Sequence, residues 1–213
     1  MVRDSFIYYQ IINDWNSTGQ FKTEGTIPPL SLYFLRIPSH FFQYDIMKGG
    51  VLVNVLLGIA IVVISIMIVH CICNSLIVDL IFGLLVATHP KLVYYSCQMT
   101  RENSYLFFVF LSCLTLIIGN QKKRMIYIMM TGVFAAAAYL CRHEALELIP
   151  ITVLTIVFFS EKKAWTACLK KILAFSLFFV LSFAVITHLI GVPMQYYYGY
   201  YEEFENKSLE IDL

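Results

Sequence analysis

Long apolar runs separated by short polar breaks dominate the chain. Six stand out, at about 51–69, 75–93, 104–119, 125–141, 144–159 and 172–191, against the roughly 17–25 residues that a helix needs to span a bilayer. The third and fifth are short and must borrow flanking residues to cross. The second is punctuated by Thr88-His89-Pro90, which predicts a kink or an unwound turn in its outer part. Ahead of the first run, residues 5–15, SFIYYQIINDW, mix aromatic and aliphatic groups with polar breaks, as a helix lying in the membrane interface does. Asn16-Ser17-Thr18-Gly19 is a stop and turn signal. Pro28-Pro29 then precedes a second aromatic-rich stretch, LSLYFLRIPSHFFQY, broken by Pro38. The pattern predicts an external loop over 1–50 with two short interfacial helices, a six-span bundle over 51–191, and an external aromatic and acidic tail over 192–213. No internal repeat is visible.

Charge sets the orientation. Lys122, Lys123 and Arg124 follow the third run, and Lys162, Lys163, Lys170 and Lys171 follow the fifth. With six alternating spans both clusters face one side, which the positive-inside rule makes the cytoplasm. The neutral HCICN loop between the first two runs does not disturb this. Both termini then lie on the non-cytoplasmic side of the cell membrane, with loops 94–103 and 142–144. Residues 1–50 would have to be translocated with no signal peptide or helix ahead of them, so either the next helix helps them across or a preceding span is missing; the second is the favoured expectation, with Met1 an internal or truncated start.

Composition agrees with a membrane class and narrows the function. The 213 residues are 59% apolar and 14% charged, well below the roughly 25% charge of soluble domains; the mean hydropathy is +0.74. A net charge of +1 without a basic stripe argues against nucleic acid as a partner. The cysteines fall mostly within the apolar runs, where they act as small apolar residues, and no disulfide framework is implied. His70, Cys71 and Cys73 lack the further ligands of a zinc site. The fold class is an all-α polytopic membrane protein.

The informative polar residues gather at one boundary. Asp4, the Arg101-Glu102 pair and the Arg142-His143-Glu144 triplet all fall at the outer ends of apolar segments. Carboxylates and guanidinium groups at one membrane face point to chemistry or anion binding. Each has a plainer reading. Asp4 precedes a helix and serves as an N-cap; Glu144 and Arg142 complement helix dipoles; Arg101 and Glu102 flank a span. Glu147 lies one turn inside an apolar run on the face of Glu144, which favours a cavity. His89 is near the same boundary, where an interfacial or packed histidine is the commoner case. Asp79 is near the cytoplasmic end of its helix and is read as reaching the interface. Asn206-Lys207-Ser208 is a formal glycosylation acceptor in the tail.

The ordered set RDSFIYYQI, IPPLSLYFLR, GLLVATHPKLVYYSCQMTRENSYLFFVFL and AAAAYLCRHEALELIP resembles the N-terminal half of a GT-C fold glycosyltransferase. It is most similar to the protein-mannosyltransferase-like and lipid A sugar transferase-like members, from about residue 3 to about 190. The resemblance implies a GT-C-type helical bundle that passes a sugar from a polyprenyl-phosphate donor to a lipid, glycan or protein acceptor outside the membrane. It implies that Asp4 is the catalytic base or orients the acceptor, with Tyr8 one helical turn on in the same motif. It implies that Arg101, Glu102, Arg142, His143 and Glu144 face the same cavity, and Glu147 is added to them as a lining residue. Some members use a divalent metal, and no ligand set for one is visible here, so no cofactor is assigned. Two departures stand out: the helix that should precede Asp4 is absent, and the chain stops after six spans where full members continue.

Physical requirements fit these roles. Transfer from a lipid phosphate needs a carboxylate for the acceptor proton, a cation for the departing phosphate, which arginine grips with a planar fork, and an apolar groove for the prenyl tail. Catalysis would be mostly positioning and electrostatics. The competing class is a non-catalytic polytopic protein, either a transporter fragment or an assembly subunit, or an inactive truncated transferase. Transport predicts repeats and broken helices at the bilayer midplane, neither of which the polar pattern shows.

Overall fold

The computed structural model describes residues 3–19, 21, 27–43, 45–159 and 165–191. The expected tail 192–213, with its tyrosines and Asn206-Lys207-Ser208, and the lysines at 162 and 163 lie outside the described residues. Every regular element among the described residues is helical, as an all-α polytopic membrane protein requires.

The chain opens with α1 (Arg3–Thr18) and α2 (Pro29–Phe42). The stop signal works as written: Ser17 and Thr18 hydroxyls donate to the Asp14 carbonyl at 2.9 and 2.7 Å, and Gly19 turns away with φ +70°. Pro29 starts α2 at the position where a missing N–H costs nothing. Pro38 lies inside α2, which runs through to Phe42 rather than breaking there. Packing overrides the lost hydrogen bond, because Leu32 and Leu35 of α2 are fully buried against Tyr8, Ile12 and Trp15 of α1. Arg36 ties the two helices together. Its Nε donates to Asn16 Oδ1 at 2.8 Å and its guanidinium lies 4.3 Å from the Trp15 ring centre. These are therefore packed helices with one buried face each.

The apolar runs form α3 (Ile46–Cys73), α4 (Leu76–Ala87), α5 (Pro90–Ser96), α6 (Glu102–Lys122), α7 (Met125–Cys141), α8 (Leu148–Phe158) and α9 (Trp165–Ile190). Three of them, α3, α6 and α9, are long and apolar enough to cross a membrane alone. Helices α4 and α5 make a fourth crossing if taken together, bent by 57° at the Thr88-His89 break. That bend is where the sequence places a kink. Helix α7 has 17 residues, about 26 Å at 1.5 Å per residue, short of the roughly 30 Å hydrocarbon thickness. The fifth predicted run, 144–159, is not one helix. Its first residues wind as a 3₁₀ turn, His143–Glu147, and α8 follows with only 11 residues.

Helix α7 is the centre of the bundle, packed between α6 and α9, while α6 leads on to α3 and α3 to α2 and α4. Small residues allow the closest approach. Ala135 to Ala138 are almost wholly buried, and a Cβ on Gly132 would stand 2.5 Å from the Phe175 carbonyl of α9. At the far end, α3 runs on to Cys73, so His70, Cys71 and Cys73 are helical and Asn74, in a left-handed conformation, makes the turn. Asp79, in the first turn of α4, is 5% exposed and pairs with the exposed His70 at the end of α3, Nδ1 to Oδ2, at 2.7 Å. The α3–α4 hairpin provides that partner, as a buried carboxylate requires.

Candidate functional site

Three chain segments bring the polar residues to one end of the bundle. Helix α1 contributes Asp4, exposed in its first turn, and Tyr8 one turn later, 4% exposed. The start of α6 contributes Arg101 and Glu102. The break between α7 and α8 contributes Arg142, which leaves the helix with an extended backbone, and the 3₁₀ turn behind it. Met99, fully buried in the same cluster as Tyr8, Ile12 and Leu35, fastens the Arg101 loop to α1 and α2.

The mutual electrostatics show that these segments converge. Tyr8 is pushed up to about 12, first by burial and then by the carboxylates of Glu102 and Asp4, against the opposing pull of Arg101 and Arg142. Its phenol therefore stays protonated at neutral pH. Burial drives the His143 imidazole below its usual range; Arg101 adds to that and Glu144 opposes it, so the ring is neutral at pH 7. Burial alone would raise the Glu144 carboxyl, yet its own backbone N–H and Arg142 outweigh this and hold it below the usual carboxylate range. Arg142 is likewise disfavoured by burial, but Glu144 and Glu102 more than compensate, and it holds its proton more firmly than a free arginine. Arg142 Nε lies 3.0 Å from Glu144 Oε1, off line for a hydrogen bond, and its guanidinium lies 5.7 Å from the centre of the Tyr105 ring. Glu147 is exposed, three residues after Glu144 in a 3₁₀ turn, which puts both on one side. Tyr105 feels the charges of Arg142, Glu147 and Glu144 together.

The two arginines are not equivalent. Arg142 closes α7, where a cation complements the helix dipole, and it has Glu144. Arg101 stands at the N-terminal cap position of α6, where the dipole opposes a cation. Its Nε–H is buried without a hydrogen-bond partner, and it makes no ion pair among the described residues. Helix stability does not account for such a placement. An anion would.

An apolar groove of about 360 Å³ lies beside this end. It is lined by Ile61 of α3, Phe82, Leu85 and Val86 of α4, His89 and Leu92 at the bend, and Leu106 and Phe110 of α6. Leu106 and Phe110 follow Glu102 by about one and two helical turns, so the groove runs away from the Arg101 end along α6. His89 thus lines a cavity, but an apolar one. Among the described residues no three His, Cys, Asp or Glu side chains converge as a metal set.

Sequence reasoning passed over Asn54, Asn103 and Tyr105. Both asparagines are fully buried. A lone amide in an apolar run was the available signal for Asn54, since buried polar groups in spans mark function or pairing.

A family model described as dolichyl-phosphate-mannose-protein mannosyltransferase matches residues 26–190. The matched span includes Arg101, Glu102 and the segment from Arg142 to Glu147, and leaves Asp4 and Tyr8 outside it. No curated relative and no solved structure matches the chain.

Proposed function

Because the chain belongs to the dolichyl-phosphate-mannose-protein mannosyltransferase family, we propose that it serves sugar transfer at the outer face of the membrane, with Arg101 and Arg142 holding the phosphate of the donor. The family is one of membrane glycosyltransferases that draw on polyprenyl-phosphate sugars. In the proposed step the bond between the sugar and the phosphate oxygen breaks while the acceptor oxygen bonds to the same sugar carbon. The acceptor proton passes to the Asp4 carboxylate, and the charge left on the lipid phosphate is met by the guanidinium groups. Tyr8, protonated throughout, donates a hydrogen bond, and neutral His143 does not add to the cationic charge. Glu102, Glu144 and Glu147 orient the arginines and the sugar hydroxyls. The termini and the loops at this end face outward in this reading, which rests on the lysine clusters at the other end.

The observation that carries the proposal is the Nε–H of Arg101, buried without a hydrogen-bond partner among the described residues, at a helix end whose dipole disfavours it. Arg101→Ala is expected to weaken binding of polyprenyl phosphate in nanodiscs by roughly 10- to 100-fold, the worth of a charge-assisted hydrogen bond. The same change should leave the melting temperature unchanged or raised. If binding is kept and stability falls, Arg101 is a structural residue and the phosphate assignment is wrong.

The groove along α6 suits the first isoprene units of the donor, because its lining is aliphatic and aromatic and it starts one turn from Glu102. Leu106→Trp should fill it. The expected result is a raised KM for a long-chain donor and little change for a short-chain analogue, read in a transfer assay with both. Equal effects on the two donors would remove the groove from the donor path.

A further inference from the structure

We infer that Asn54 is a positioning residue that moulds the loop carrying Arg101, acting through two backbone carbonyls rather than through any substrate contact. The inference rests on the reading of Arg101 as a phosphate ligand, and on geometry that stands without it. Asn54 lies within the apolar run of α3 and is fully buried. Its Nδ2 donates to the carbonyls of Gln98 at 2.7 Å and Thr100 at 2.9 Å. Both targets can only accept, so the orientation of the amide is determined. Asn103, also fully buried, reaches back from the first turn of α6: its Nδ2 donates to the Asn54 carbonyl at 2.8 Å and to Ser96 Oγ at 3.0 Å. The segment from Ser96 to Asn103 is therefore gripped at four points, and Arg101 lies between them.

The face of α3 beneath the loop is shaped for it. Gly50, Asn54 and Gly58 recur every fourth residue and share one side of the helix. A Cβ on Gly50 would stand 2.7 Å from Met99 Cγ, and one on Gly58 would collide with Ser96 Oγ. The loop thus lies directly on the helix backbone, and the Asn54 amide between the two glycines reaches its carbonyls. Those carbonyls are in a non-helical stretch, part-buried at Gln98 and buried at Thr100, and need donors that helix geometry does not supply there. Asn54 supplies them at some cost, since its own Oδ1 is buried without a partner among the described residues. A residue selected for packing alone would carry no such orphan.

The consequence is for the arginine. Thr100 is its immediate neighbour in the chain, and a carbonyl fixed there fixes the dihedrals that aim the Arg101 side chain. Bidentate contact with a phosphate tolerates little angular error, so a loosened loop should reduce affinity although the charge is still present.

The test combines two readouts on the full chain in nanodiscs. Hydrogen exchange of the backbone amides over residues 97–104 should rise in Asn54→Ala, with the α7 and α9 amides unchanged. Binding of polyprenyl phosphate should fall roughly 10-fold or more in Asn54→Ala, about what two lost hydrogen bonds to carbonyls are worth. It should not fall further when Asn54→Ala is added to Arg101→Ala, because the two act as one unit. Asn54→Ser, which keeps one donor, should lie between the parent and Asn54→Ala and guards against a variant that fails to fold. Unchanged exchange over 97–104 overturns the inference whatever the ligand does. An equal loss from Asn54→Ala with and without Arg101 also overturns it, since Asn54 then acts on the whole bundle. If the loop loosens but the parent chain binds no polyprenyl phosphate, the phosphate reading fails and the functional half of the inference fails with it.

Discussion

Asp4→Asn is expected to lower sugar transfer by roughly a hundred- to ten-thousandfold, the usual worth of a positioned general base, while the protein stays folded. The amide is nearly isosteric with the carboxylate but cannot accept a proton. Asp4 is exposed in the first turn of α1, so its replacement disturbs no packing. The buried face of α1, built from Tyr8, Ile12 and Trp15, stays intact. The measurement is the transfer rate from a labelled polyprenyl-phosphate sugar, with circular dichroism and a melting curve as controls. Transfer within a few fold of the parent rate would leave Asp4 as a helix-terminal charge only. Tyr8 gives an internal comparison: with its phenol pushed up to about 12, it cannot substitute as a base at neutral pH.

The second large effect concerns the frame that holds the site. Gly132→Leu is expected to destabilise the bundle by about 3 kcal/mol, at the upper end of ordinary overpacking costs. A side chain there meets the backbone of α9, the Phe175 carbonyl at 2.5 Å and the Phe179 nitrogen at 3.0 Å. Backbone cannot rotate aside as a flexible side chain can, so α7 and α9 must separate. Their contact is a major one in the bundle, and Arg142 is mounted at the end of α7. A melting temperature in detergent equal to that of the parent would show that the two helices have slack.

Much of this was legible in the chain itself, and the exceptions have separate physical causes. The Thr88-His89-Pro90 kink was readable because proline acts on its own turn. Placement of Asp4, Arg101, Glu102 and Arg142 at the ends of apolar runs was readable from their positions, and the charges of all four act on Tyr8. Pro38 misled because local preference was overruled by the burial of Leu32 and Leu35. The 3₁₀ turn at His143–Glu147 was hidden because a period of 3.0 and one of 3.6 cannot be told apart over five residues. Asp79 and Asn54 were underread for a further reason. Each has its partner elsewhere in the chain, nine residues away for His70 and 44 and 46 for the two carbonyls, and a pattern along the chain carries no record of what folds against it.

The 57° bend between α4 and α5 has a kinetic consequence under the proposed function. With α4 and α6 on either side of the groove, the donor would enter sideways, from within the leaflet. Encounter is then a search in two dimensions, and its rate follows the mole fraction of donor in the bilayer. Diluting the vesicles at constant lipid composition would leave the donor encounter rate unchanged, whereas diluting the donor with inert lipid would slow it.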